Sequence, residues 1–203
     1  VGGEGGALDR PSGEGREPSE AHRGAGEARE RKASDSRPFR AAVLVVSDRV
    51  TAGTHDDESG KSARTLLTQF GFEVVHTDAV PDESDAIEKR LCHYADQDHL
   101  DLVITTGGTG FAPRDVTPEA TWRIIEREAP GIAELLRRET AASTPLSALS
   151  RGVAGIRDHT LIVNLPGNPR GVQDCLSVLR PLFSHGLKIL RGEPTGHAAW
   201  KSK

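Results

Sequence analysis

Four short apolar runs, Ala41 to Ser47, Phe72 to Val80, Leu102 to Thr106 and Thr160 to Asn164, recur along the chain with helix-patterned segments between them. Stretches such as VLVV, LVIT and LIV are continuously apolar rather than alternating, as expected for parallel strands covered on both faces. The intervening segments carry readable helical faces. Ala63, Leu66, Leu67 and Phe70 follow the 3.6-residue period and stop at Gly71, predicting a helix from Ser62 to Phe70. Ile87, Leu91, Tyr94 and Ala95 define a second helix, and Thr117 with Pro118 reads as an N-cap and first-turn pair opening a third, with Thr121, Ile124 and Ile125 on one side. Further helices are predicted over Ile132 to Thr140 and Gly171 to Arg191, the latter broken or kinked at Pro181, with a short strand or hairpin within Ser150 to Asp158. This succession predicts a three-layer α/β/α domain with a mostly parallel sheet and right-handed crossovers.

Composition sets the limits of that domain. Residues 1 to 38 are rich in Gly, Glu, Arg, Ser and Pro, with Val1 and Leu8 as their only large aliphatics. Such a segment buries too little apolar surface to offset its ordering entropy, so a disordered tail is expected over 1–38, the folded domain over 39–192 and a flexible tail over 193–203. A net charge of -4 and 4% aromatics argue against a nucleic-acid partner, which calls for a basic stripe with stacking side chains. No apolar run reaches the roughly eighteen residues of a membrane span, and no signal-peptide pattern opens the chain, so a cytoplasmic protein with no membrane partner is expected. Cys92 and Cys175 are too few for a disulfide framework; Cys175 falls on the face Val172, Cys175, Leu176, Leu179 and reads as core.

In an α/β/α domain, ligands sit beyond the carboxyl ends of the strands. The distinctive loops all follow strands there: Ser47-Asp48-Arg49, Pro81-Asp82-Glu83, Gly107 to Asp115, and Pro166-Gly167-Asn168-Pro169. They should converge on one edge. Gly107, Gly108 and Gly110, flanked by Thr106 and Thr109, let backbone N–H groups approach a ligand phosphate. The loop does not carry the dinucleotide fingerprint, because Pro113 stands where its last glycine belongs, and Gly60-Lys61-Ser62 is no P-loop, because His55 replaces the required first glycine. Lys61 is therefore expected as a solvated lysine, and Asp56 and Asp57 as turn or cap residues. Asp82 and Asp115, each just beyond a strand, are the carboxylates expected to coordinate Mg²⁺ bridging phosphate oxygens, and Arg49 and Arg114 are candidates to neutralise phosphate charge. The histidines show no ligand spacing for zinc, and no Gly-x-Ser-x-Gly elbow occurs.

SDR at Ser47 to Arg49, VPDE at Val80 to Glu83, TTGGTGFAPRDVTPEAT from Thr105 to Thr121 and NLPGNP from Asn164 to Pro169 resemble the MoaB/Mog family of molybdenum cofactor biosynthesis, over essentially all of Arg40 to Arg191. The resemblance implies a molybdopterin-binding α/β/α fold, usually trimeric and sometimes hexameric. In active members it implies molybdopterin adenylyltransferase activity, a nucleotidyl transfer that joins AMP from Mg-ATP to the molybdopterin phosphate and releases pyrophosphate. It makes Asp82 and Asp115 the important carboxylates, with Mg²⁺ as cofactor, ATP as co-substrate and a molybdenum insertase as possible partner. The loops at Ser47-Asp48 and at Pro166, Gly167 and Asn168 would shape the pterin or nucleotide pocket. The alternative within the same family is a catalytically inactive molybdopterin carrier or scaffold; retention of both carboxylates favours the enzyme.

Overall fold

A computed structural model describes residues 37–195, and Gly2 besides. The tails expected over 1–38 and 193–203 lie almost wholly outside the described residues. Six strands form one sheet in the order β2-β1-β3-β6-β5-β4. They are β1 (Arg40–Val46), β2 (Glu73–Val80), β3 (Leu102–Thr106), β4 (Arg127–Glu128), β5 (Ala154–Arg157) and β6 (Thr160–Leu165). The first four in spatial order are parallel, as the continuous apolar runs require. β5 folds back on β6 as an antiparallel hairpin, and β4 adds to β5 antiparallel. Asp158, at φ 49°, makes the tight turn between β5 and β6. The expected strand within Ser150 to Asp158 is thus β5. The two-residue β4 has no periodicity of its own to betray it.

The helices are α1 (Asp48–Thr51), α2 (Glu58–Gln69), α3 (Ser84–Asp96), α4 (Thr117–Ile124), α5 (Pro130–Thr140) and α6 (Pro169–Leu190), with a 3-10 turn over Pro145–Leu149. Both faces of the sheet are covered, and β1 shows why its run has no polar alternation. Ala41, Val43 and Val45 pack with Ala63 and Leu67 of α2, Leu136 of α5 and Val172, Leu176 and Leu179 of α6. Ala42, Leu44 and Val46 face the other way, onto Ile87 and Leu91 of α3 and Ala120 and Ile124 of α4. Each fully buried Val, Leu or Ile among them contributes about 1.5–3 kcal/mol relative to exposure. Cys175 belongs to the first cluster, and burial pushes its thiol up to about 12, so it behaves as a small apolar side chain.

Local signals set several helix ends. Asp57 accepts from the Gly60 amide at 2.7 Å and caps α2, which begins one turn earlier than its apolar face suggests. Gly71, at φ 91°, takes the left-handed position after it. Two expectations are corrected. Thr117 is not the N-cap of α4: that position is Val116, and the Thr117 hydroxyl instead donates to the Gly107 carbonyl at 2.9 Å. Nor does Pro181 break the last helix, which runs as a single element of 22 residues through it. The lost backbone bond is outweighed by an apolar face that buries Val172, Leu176, Leu179, Phe183 and Leu187 along one side.

Strand register decides where the loops emerge. Val80 stands opposite Val46, Val45 opposite Thr106, and Thr106 opposite Leu165. The carboxyl ends of β2, β1, β3 and β6 are therefore level, and the four loops that follow them share one edge.

Candidate active site

At that edge the loops after β1 and β2 are tied by a reciprocal exchange. The Asp48 amide donates to Asp82 Oδ2 at 2.8 Å, and the Asp82 amide donates to Asp48 Oδ1 at 3.0 Å. Ser47 caps the short α1, its hydroxyl accepting from the Val50 amide at 3.3 Å. Arg114 reaches across from the glycine loop to Asp48, with Nε 2.8 Å from Oδ2 and Nη2 2.9 Å from Oδ1, the two-point fork that a guanidinium offers a carboxylate. That fork, with the Asp82 backbone amide second, holds the Asp48 carboxyl below its ordinary range.

The glycine loop is packed as tightly as a core. Gly107 and Gly108 sit at φ 102° and 62°. A Cβ at Gly107 would lie 2.3 Å from the Val46 carbonyl oxygen, and one at Gly108 would lie 2.3 Å from Thr117 Oγ1. Gly167, in the loop after β6, crosses so close that its Cβ would meet Gly107 Cα at 3.1 Å. These glycines thus answer a steric demand of the fold as well as leaving backbone accessible to a ligand. Asp115 closes the turn at the end of the loop, its Oδ2 accepting from the Ala112 amide at 2.8 Å.

Two adjacent cavities open on this edge. One, of about 360 Å³, is polar and is lined by Ser47, Asp48, Arg49, Asp82 and Thr106, with His55, Asp56 and Glu58 at its side. The other, of about 640 Å³, is lined by Thr109, Gly110, Pro166 and Asn168, together with apolar walls from Leu136, Leu146 and Leu149. Gly107, Gly108, Asp115 and Gly167 line both and form the wall between them. The sequence-predicted residues are thereby brought together, with one exception. Arg114 lines neither cavity and is engaged by Asp48. Lys61 is exposed on α2 and belongs to neither.

Several residues of the site carry no sequence signal. Arg137, Thr140 and Arg170 line the larger cavity from α5 and α6. Arg151, just before β5, donates through Nε to the Gly110 carbonyl at 2.7 Å, through Nη2 to the Asp115 carbonyl, and through Nη1 to Glu119. In a chain with many arginines, nothing local marks this one. Asn164, buried near the carboxyl end of β6, was marked by the Asn164 to Pro169 motif but not in this role: it donates to Thr105 and Thr121 Oγ1 at 3.0 Å each and accepts from the Val153 amide, joining β3, β6 and α4 beneath the site.

Asp82 and Asp115 supply hard oxygen donors to one cavity, each oriented by a backbone amide. Among the described residues no three His, Cys, Asp or Glu side chains gather as a metal cage. Two carboxylates completed by water and nucleotide oxygens are a donor set that suits Mg²⁺.

Residues 42–185 match the family described as probable molybdopterin binding domain. The molybdopterin adenylyltransferase of Helicobacter pylori strain J99 is 41% identical over 152 residues, covering 74% of this chain and 86% of that protein. That of Escherichia coli K12 is 37% identical over 167 residues, covering 81% of each. The crystal structure of the molybdopterin biosynthesis enzyme MoaB from Thermus thermophilus superposes with a TM-score of 0.73 at 47% identity, over 77% of this chain and 98% of that one. With the sheet order, the loops and the long glycine motif in the same chain, this chain belongs to the molybdopterin-binding family of molybdenum cofactor biosynthesis.

Proposed function

We propose that the protein is a molybdopterin adenylyltransferase. The observation that carries this reading is the wall shared by the two cavities: Gly107, Gly108, Asp115 and Gly167 border both. Two substrates seated in neighbouring cavities meet at such a wall, and a reaction between their phosphates takes place there. A molybdopterin phosphate oxygen attacks the α-phosphorus of ATP, a new P–O bond forms, and the bond from that phosphorus to the bridging oxygen breaks as pyrophosphate leaves. No protein nucleophile is required.

The catalytic demand is to bring two anions together and hold them in line. Backbone N–H groups from Gly108 to Gly110 bind phosphate oxygens, the Gly107 amide being committed to the Leu165 carbonyl, and Arg49, exposed at the smaller cavity, offsets their charge. Asp82 and Asp115 hold Mg²⁺, which supplies charge neutralisation on the phosphate oxygens when bound. Asp48 orients the backbone of Asp82, and Arg114 steadies Asp48 rather than touching substrate. The assembly proposed with this reading is a homotrimer acting in the cytoplasm and delivering its product to a molybdenum insertase. Light scattering on the full chain tests the stoichiometry, and a monomeric mass would remove it.

The activity is tested by pyrophosphate release from Mg-ATP with and without molybdopterin. Release that depends on molybdopterin and collapses in Asp82→Asn and Asp115→Asn is expected. Tight molybdopterin binding with no release would assign the chain to the inactive carriers instead.

A further inference from the structure

We infer that Arg151 is a positioning residue for the reaction, holding the turn that carries Asp115 through a planar three-point grip that only a guanidinium provides. The inference rests on the adenylyltransferase reading. This one residue links the segment before β5 to the glycine loop through both its backbone and its side chain. The Arg151 amide donates to the Thr109 carbonyl at 2.9 Å, and its side chain donates to the carbonyls of Gly110 and Asp115 and to the Glu119 carboxylate in the first turn of α4. These side-chain partners lie 32 to 41 residues away in sequence.

Geometry gives the grip its consequence. The Gly110 and Asp115 carbonyls stand at the two ends of one turn, and that turn is closed so tightly that a Cβ on Gly110 would lie 2.9 Å from Asp115 Oδ2. The Asp115 carboxylate is tied within the same turn by the Ala112 amide. Fixing both carbonyls from one rigid fork therefore fixes where the carboxylate stands on the wall between the cavities. Glu119 completes the arrangement: its Oε1 is ion-paired with Arg151 while its Oε2 is buried with no hydrogen-bond partner among the described residues, so this carboxylate aims the guanidinium through a single oxygen. Arg151 lines neither of these two cavities but a third, of about 330 Å³, beside Glu119, Trp122 and Arg137, so toward the wall that carries Asp115 it acts as a support.

A lysine at this position keeps the positive charge opposite Glu119 but cannot span two carbonyls and a carboxylate at once. Arg151→Lys and Arg151→Met are therefore compared with the wild-type full chain by two measurements: the Mg²⁺ dependence of molybdopterin-stimulated pyrophosphate release, and amide hydrogen exchange of peptides covering residues 107 to 116 without ligand. The expected result for Arg151→Lys is a thermal midpoint close to wild type, loop exchange faster by roughly tenfold, a raised half-saturating Mg²⁺ concentration, and a loss of about 10- to 100-fold in activity. If Arg151→Met does not fold, Arg151→Lys alone decides. Wild-type loop exchange, or wild-type rate and Mg²⁺ dependence, in Arg151→Lys overturns the inference, since charge balance alone would then suffice. A wild-type protein that releases no pyrophosphate defeats the adenylyltransferase reading instead, and the exchange measurement still decides whether Arg151 holds the loop.

Discussion

The two ends of the parallel sheet use the same chemistry, carboxylates and guanidinium groups, to opposite effect. At the amino end Asp101, just before β3, meets Arg191, just after α6, with Nε 2.6 Å from Oδ1 and Nη2 2.7 Å from Oδ2. Asp101 also accepts from the Arg40 amide at 2.7 Å, and Arg191 lies 4.3 Å over the Phe39 ring. Their side chains are only 5% and 9% exposed. At the carboxyl end Asp48 and Arg114 form a fork of similar length, yet their side chains are 42% and 60% exposed. The buried fork closes the domain, joining its first strand, central strand and last helix. The exposed one orders loops around cavities and leaves neighbouring carboxylates facing them. Exposure, rather than residue type, separates structural charge from charge available to a ligand.

The largest effect is expected at the closed end. Asp101→Ala takes the two-point carboxylate partner from a buried guanidinium, which keeps Glu193 and the Pro38 carbonyl beside it, and removes the acceptor of the Arg40 amide; it should cost about 3 kcal/mol, lowering the thermal midpoint by on the order of 10 °C. Calorimetry checks this, with pyrophosphate release unchanged at temperatures where the variant is folded. An unaltered midpoint would erase the contrast between the two ends. Next comes Asp115→Asn at the open end. A drop of roughly a hundredfold or more in pyrophosphate release is expected, with the midpoint held within a few degrees; a variant that loses stability and keeps activity would reverse the roles assigned here.

Gly108→Ala probes whether the open end is also under structural constraint. Its backbone at φ 62° and the 2.3 Å approach to Thr117 Oγ1 predict a loss of about 1–3 kcal/mol along with activity. Denaturant titration measures it, and tolerance of the methyl group would mean that the loop relaxes freely. The smallest effect belongs to Arg114→Ala. Asp48 is held below its ordinary value of 3.8, first by Arg114 and then by the Asp82 amide. A depressed carboxyl adds stability above its ordinary value and loses it as pH falls through the lowered one. Removing Arg114 should move the Asp48 titration upward in an NMR pH series and flatten the acid limb of the stability curve below about pH 4. An unmoved Asp48 titration would show that the fork does not persist in solution. At this exposure neutral-pH stability should hardly change.

Much of the fold was legible because its signals are local. Continuous apolar runs marked strands buried on both faces, Gly71 marked the end of α2, and the face from Val172 to Leu179 placed Cys175 in the core. The candidate site was legible for a related reason. Parallel crossovers put every strand-following loop on one edge, so Asp48, Asp82, Gly107 and Gly167 had to meet once the strands were recognised. Reading the local signal at Thr117 as a cap failed because its hydroxyl had a better partner in the Gly107 carbonyl, a neighbour only after the loop has folded.

Periodicity and backbone propensity act over a few residues, and they were enough to specify the layered parallel architecture, the strand-following loops and the carboxylates and glycines those loops carry. Other features arose only when distant segments met. These are the antiparallel edge made by β5 and β4, the commitment of Arg114 to Asp48, the division of the site into two cavities with a common wall, and the grip of Arg151 on the turn of Asp115. The side-chain contacts among them join residues 32 to 66 positions apart, and their partners are chosen by strand order and register, which no local pattern encodes.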